Sequence, residues 1–146
     1  MISSLPIISL RLPDWVERFI ADSPRVFPET NDRMRFVLEL SRRNVRHGTG
    51  GPFGAAIFDS DGRLIAPGIN LVVISNCSLL HAEMVALAGA QQILGRYDIS
   101  DSGITVLRDV LRDEAVGVLR DYVEAGGIIY NAGQQGTYGV LGRTDQ

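Results

Sequence analysis

The chain has 146 residues, of which 45% are hydrophobic and 21% charged, as in an ordinary globular domain. Its formal net charge of −3 argues against a nucleic-acid binder that acts through a broad basic surface. All 14 basic residues are arginine, so a Schiff-base lysine, a P-loop lysine and a lysine general base are excluded.

Cysteine and histidine are scarce: Cys77 is the only cysteine, and His47 and His81 are the only histidines. One chain therefore cannot form an internal disulfide, a cysteine-rich metal site or a three-histidine zinc site. The first ten residues lack the positive start of a signal peptide, and no apolar run reaches the ~20 residues of a membrane span. The sequence thus predicts no membrane partner, no nucleic-acid partner and a cytoplasmic location.

The first 30 residues contain four prolines and are predicted to form an extension that packs on the domain. Pro13 and the apolar residues after it predict one short helix. A second helix, capped by Thr30 or Asn31, is predicted to run to about Val45. Its predicted apolar stripe consists of Met34, Val37, Leu38, Ser41 and Val45.

A predicted hairpin follows the glycine-rich loop after that helix. Residues 53–59 are predicted to form its first strand and residues 64–74 its second, joined by a turn at 60–62. Pro67 and Gly68 lie inside the second strand and predict an edge position or a bulge.

The clearest helix of the sequence is predicted over residues 79–94, with Gly95 as its stop. Residues 104–110 are a candidate third strand, and a last helix is predicted to begin at or just after Asp109. The predicted apolar face of the helix at 79–94 consists of Met84, Leu87, Ala88, Gln91 and Leu94. That of the last helix consists of Leu111, Ala115, Val118, Leu119, Tyr122 and Val123.

The tripeptide His81-Ala82-Glu83 stands at the start of the clearest helix. A histidine and a glutamate two residues apart at a helix N-terminus can point at the same small volume, where the helix dipole favours negative charge. The histidine can hold a metal, and the glutamate can move protons on a metal-bound water. The pattern also arises by chance, and Glu83 then only complements the helix dipole.

Three motifs occur in a fixed order: GGPFGAAI at 50–57, GIN at 68–70 and HAEM at 81–84. On these motifs the sequence from about residue 31 to 98, and again from 103 to 130, resembles the cytidine-deaminase-like superfamily. Within it, the sequence most resembles bacterial guanine deaminases. The resemblance implies an α/β fold with three α/β/α layers, shortened to about three strands with flanking helices. It also implies an extension at 1–30, a deaminase-like domain at 31–130 and a glycine-rich tail at 131–146.

The resemblance implies hydrolytic removal of a ring amine from a purine nucleobase, with zinc as cofactor and release of ammonia. His81 corresponds to the first zinc ligand and Glu83 to the catalytic proton shuttle. Asn70 corresponds to the residue that hydrogen-bonds the base edge, and Phe53 to the one that packs on the ring. The backbone of Ala82 corresponds to a further contact with the base.

The sequence departs from the family at the second half of its signature, P-C-x-x-C, which is absent. The strand before the cysteines, the helix that begins with them and the next strand are all missing. Candidate replacement ligands are Cys77, His47, Asp109, Asp113 and Glu114. Each also has an ordinary interpretation, as a loop thiol, a surface histidine or acids in a first helical turn.

Three functional hypotheses therefore stay open. The chain is a guanine-type deaminase, or it is a non-catalytic deaminase-like module that binds a purine or serves in oligomerisation, or it is an internally shortened variant without function. A three-stranded sheet is thin and leaves its edges exposed, so the sequence also predicts a homodimer.

Overall fold

Four helices and one antiparallel hairpin make up residues 9–99 and 110–127, the part of the chain described by a computed structural model. No helix of this part is long and apolar enough to cross a membrane. The elements in chain order are α1 (Asp14–Ala21), α2 (Thr30–Arg46), β1 (Gly54–Phe58), β2 (Leu64–Ile69), α3 (Ala82–Leu94) and α4 (Arg112–Glu124).

The hairpin is shorter than the sequence predicts. Gly54 pairs with Ile69, and one further hydrogen bond, from the Asn70 N–H to the Phe53 carbonyl, extends the ladder at 3.1 Å. The prediction of a second strand to residue 74 is wrong, because β1 offers no partner beyond this point and the chain turns instead. Of the two alternatives predicted for Pro67 and Gly68, an edge position or a bulge, the described residues agree with the edge, since β2 has β1 as its one partner there. Pro67 pairs regularly with Ala56, and the register shifts nearer the turn, between residues 57 and 58.

The two faces of the hairpin are covered by different helices. A side chain at Gly54 would meet the backbone of α2, whereas one at Gly68 would meet the backbone of α3. Gly68 pairs with Ala55, and successive strand residues point to opposite faces, so α2 and α3 lie on opposite sides of the sheet. The described part of the chain thus has the predicted α/β/α layering.

Helix α2 buries a different face from the one predicted. Leu38 and Ser41 are buried as expected, but Phe36, Leu40 and Asn44 are buried as well, whereas Met34, Val37 and Val45 are only partly buried. The reason is that α2 is packed on more than one side. It contacts β1, β2 and α4, and its Phe36 and Leu40 share a core with Trp15 and Val16 of α1.

Helix α3 lies so close to the sheet that mostly small residues fit between them. It begins at Ala82 instead of residue 79, and it ends as predicted at Gly95, which has a left-handed φ of 66°. The residues that it buries are Ala82, Val85, Ala86 and Ala90. The predicted apolar face is therefore wrong in part, since Met84 and Leu94 are exposed.

Helix α4 begins after Leu111, whose φ of 50° is left-handed, and packs against α2. Val118 is its buried residue, and Leu119 and Val123, predicted on its apolar side, are exposed. Residues 104–109 of the predicted third strand and the predicted tail at 131–146 lie outside the described residues. The division of the chain at residues 30 and 130 stays a prediction.

Candidate functional site

The residues singled out by the sequence motifs meet at one end of the hairpin. Phe53 immediately precedes β1 and Asn70 immediately follows β2, and their backbones are hydrogen-bonded. The next residue, Leu71, donates its N–H to the Leu80 carbonyl at 2.9 Å, which closes the loop before α3. Two backbone hydrogen bonds thereby bring Phe53, Asn70 and His81 to the same edge of the molecule.

His81 occupies the N-cap position of α3. Its backbone is extended (φ −66°, ψ 154°), and its carbonyl accepts the N–H of Val85 at 3.0 Å. No side-chain hydrogen bond caps this helix end, so its first N–H groups present positive partial charge. Glu83 lies in the first turn, exposed, and its carboxylate complements that charge.

The residues of the candidate site differ in their access to solvent. The Phe53 side chain is 46% exposed and His81 is half-buried, whereas Asn70 and Ala82 are buried. Asn70 has no exposed surface, and its Oδ1 accepts the backbone N–H of Val72 at 3.4 Å. Ala82 lies on the sheet side of α3, with its carbonyl oxygen facing Gly68.

A buried asparagine behind the site was missed by the sequence analysis. Asn44 is completely buried, and its Nδ2 donates to the carbonyls of both Gly51 and Asn70 at 2.9 Å. The signal that could have found it is its spacing: Asn44 continues the buried row of Phe36 and Leu40 at four-residue intervals.

The described residues contain no group of three or more histidine, cysteine, aspartate or glutamate side chains placed to hold a metal. Of the candidate replacement ligands, Cys77 lies in the loop before α3, where its carbonyl oxygen accepts the N–H of Leu80, the residue before His81, at 3.2 Å. His47 instead stacks on Trp15, with ring centroids 5.0 Å apart. Asp113 and Glu114 lie in the first turn of α4, which packs against α2, and Asp109 lies outside the described residues. The sequence has one cysteine, and the described ligand side chains form no group of three. The described residues therefore do not fit a zinc site with three protein ligands.

Residues 28–110 match the family model for the cytidine and deoxycytidylate deaminase zinc-binding region. The chain is 41% identical to a guanine deaminase of Bacillus subtilis (strain 168) over 68 residues. This aligned segment makes up 47% of this chain and 43% of that protein. The chain therefore spans less than half the length of this curated relative.

Solved structures with a similar fold include a guanine deaminase and a complex with a purine. A structure in complex with 2,6-diaminopurine is 29% identical, with a TM-score of 0.70, and the match covers 85% of this chain and 96% of that one. A guanine deaminase from Nitrosomonas europaea is 40% identical, with a TM-score of 0.59 over 68% of this chain and 54% of that one. The α/β cytidine-deaminase-like fold is thereby confirmed.

The family match includes the whole candidate site. Phe53, Asn70, His81, Ala82 and Glu83 all lie inside residues 28–110. The matching model describes a zinc-binding region, so zinc is the metal that the match implies. Because the model covers more than half of the sequence, the chain belongs to the cytidine and deoxycytidylate deaminase family.

Proposed function

We propose that the chain is a hydrolytic deaminase of the guanine type, with an aminopurine base as substrate. The observation that carries the proposal is the meeting of Phe53, Asn70 and the His81–Glu83 turn at one end of the hairpin. The relatives support the purine class: two of them are guanine deaminases, and other solved neighbours hold 2,6-diaminopurine or 8-azaguanine.

The positions of Glu83 and Phe53 support the roles proposed for them. The exposed carboxylate of Glu83, at the positive end of α3, moves protons at the site. The half-exposed ring of Phe53 packs on the base, which is an apolar, flat surface. The amide of Asn70 carries both a donor and an acceptor for a base edge, and the backbone of Ala82 adds a further contact.

His81 is the proposed metal ligand, and it is here that the chain differs from its family. Since the described side chains do not complete a zinc site around His81, no chemical step is assigned to a metal in this chain. This shortage of donors favours a second candidate function. In it, the chain binds an aminopurine with Phe53 and Asn70 but does not hydrolyse it.

One set of measurements separates the two candidates. The zinc content of the purified protein is measured by elemental analysis, ammonia release is measured with guanine, and binding is measured by calorimetry with 8-azaguanine. For a deaminase we expect ammonia release that falls by about a hundredfold in Glu83→Gln, because glutamine keeps the shape of glutamate but cannot transfer its proton.

The matched control is Glu124→Gln, which makes the same change at an exposed position of α4. It is expected to leave ammonia release unchanged. Binding of 8-azaguanine without ammonia release selects the non-catalytic candidate. A protein that neither binds 8-azaguanine nor releases ammonia contradicts both.

We also propose that the chain forms a homodimer; its cytoplasmic location stays a prediction. Leu79 and Ile93 are both 66% exposed, and Ile74 is also exposed, so large apolar side chains face water in a single copy. Sedimentation equilibrium is expected to give twice the mass of one chain, and Ile93→Asp is expected to weaken the association. A single-chain mass at every concentration tested would contradict the dimer.

A further inference from the structure

A one-directional chain of hydrogen bonds runs from α1 to the candidate site. The indole Nε1 of Trp15 donates to Thr49 Oγ1 at 3.1 Å, and Thr49 Oγ1 lies 2.7 Å from Asn44 Oδ1. The carbonyls of Gly51 and Asn70 can only accept, so Nδ2 of Asn44 faces them and Oδ1 faces Thr49. The Thr49 hydroxyl accepts from the indole N–H and donates to Oδ1, its nearer acceptor, while the carbonyl oxygen of Asn44 lies farther away, at 3.3 Å.

The nitrogen of Asn44 faces two backbone carbonyls. Its two N–H groups are both used, one on Gly51 and one on Asn70, each at 2.9 Å. The N–H of Asn70 is already held by Phe53 on the other strand. The peptide groups on both sides of the Asn70 side chain are therefore fixed, one by Phe53 and the other by Asn44.

Glycine at position 50 is what allows this approach. A Cβ there would fall on the carbonyl oxygen of Asn70 and lie 2.7 Å from Asn44 Nδ2. Gly50 thus leaves the space in which the Asn44 side chain reaches the carbonyl of Asn70. Through this one side chain, the glycine-rich loop at Gly51 and the end of β2 at Asn70 are held together.

We propose that Asn44 is a positioning residue, which sets the orientation of the Asn70 amide toward an aminopurine base by clamping the backbone of Asn70 to that of Gly51. This inference rests on the proposed function, because it takes Asn70 as the base-binding residue. Thr49 acts one step further back: its hydroxyl donates to Asn44 Oδ1 and so helps to hold the amide in the orientation that the two carbonyls require.

The test is a double-mutant cycle on the affinity for 8-azaguanine, with Asn44→Asp and Asn70→Ala. Aspartate has nearly the shape of asparagine, but its ionised carboxylate offers the two carbonyls no N–H. We expect Asn44→Asp to weaken binding at least tenfold in the wild-type background and less than twofold when Asn70 is already alanine. A purely structural role of Asn44 would weaken binding equally in both backgrounds.

Thr49→Val provides a milder variant in case Asn44→Asp fails to fold, since valine keeps the shape of threonine and removes only the hydroxyl. It is expected to show the same dependence on Asn70, with a smaller loss of about threefold. The matched control is Ser41→Ala, which removes a buried hydroxyl of α2 that has no hydrogen-bond partner in the described part of the chain. It is expected to leave the affinity unchanged.

The outcomes separate this inference from the function on which it rests. If the wild-type protein does not bind 8-azaguanine, the proposed function fails and the inference with it. If the wild-type protein binds but the losses from Asn44→Asp and Thr49→Val are the same with and without Asn70, only the inference fails. Equal losses in Ser41→Ala and Thr49→Val would also overturn it.

Discussion

Gly68→Ala is expected to destabilise the protein by about 3 kcal/mol, near the upper end of what overpacking costs. A Cβ at this position would strike the Ala82 carbonyl oxygen and lie 2.6 Å from the N atom of Ala86 and 2.8 Å from its Cβ. These are mostly backbone atoms, which no change of rotamer can move aside. Helix α3 must therefore shift away from β2, and its first turn, which carries His81 and Glu83, shifts with it.

The measurement is the free energy of unfolding by urea, followed by circular dichroism. Gly117→Ala is the matched control, because a Cβ at Gly117, inside α4, meets nothing within 4 Å. It is expected to stabilise the protein by up to about 1 kcal/mol, the cost of glycine in a helix interior. If both variants change stability in the same direction, the close approach of α3 to β2 is not what limits position 68.

Leu40→Ala is expected to lower the free energy of unfolding by about 4 kcal/mol, a large part of the stability of a typical domain. Leu40 is fully buried in the core that joins α1, α2 and the sheet. Truncation leaves a cavity among groups that are fixed by their own packing, so the site can collapse only in part.

Leu119→Ala makes the same substitution on α4, at a residue that is 41% exposed and is not used in the dimer argument, and its expected cost is about 1 kcal/mol or less. Both variants are compared by urea unfolding at the same pH and salt concentration. Similar losses at positions 40 and 119 would mean that this part of α4 is packed as tightly as the core, against its exposure.

Local signals in the sequence were enough to predict several elements. Pro13 and the apolar residues after it gave α1, the Asp61-Gly62 turn gave the hairpin, and Gly95 gave the end of α3. These features are determined by residues next to each other in the chain. The end of β2 was not predictable in this way. It lies opposite the first residue of β1, so it is determined by a residue on the other side of the turn and not by its own neighbours in the chain.

The face that a helix buries depends on what surrounds it, and this explains the errors in α2 and α3. A single apolar stripe assumes one neighbour, but α2 has several, and it therefore buries the polar Asn44 as well. The fold brings the motif residues from Phe53 to Glu83 to one end of the hairpin, and their roles stay a prediction. The hydrogen bond from Asn44 to the Asn70 carbonyl was not predictable, since these two residues are 26 positions apart in the sequence.

The complete burial of Asn70 has a kinetic consequence for the proposed function. A base cannot dock onto an amide that has no surface in contact with solvent, so the covering groups must first move aside. How often they do so is a property of the protein alone. If this opening precedes binding, the observed association rate levels off as the base concentration rises, at a value equal to the opening frequency. Affinity and speed are then controlled by different parts of the chain.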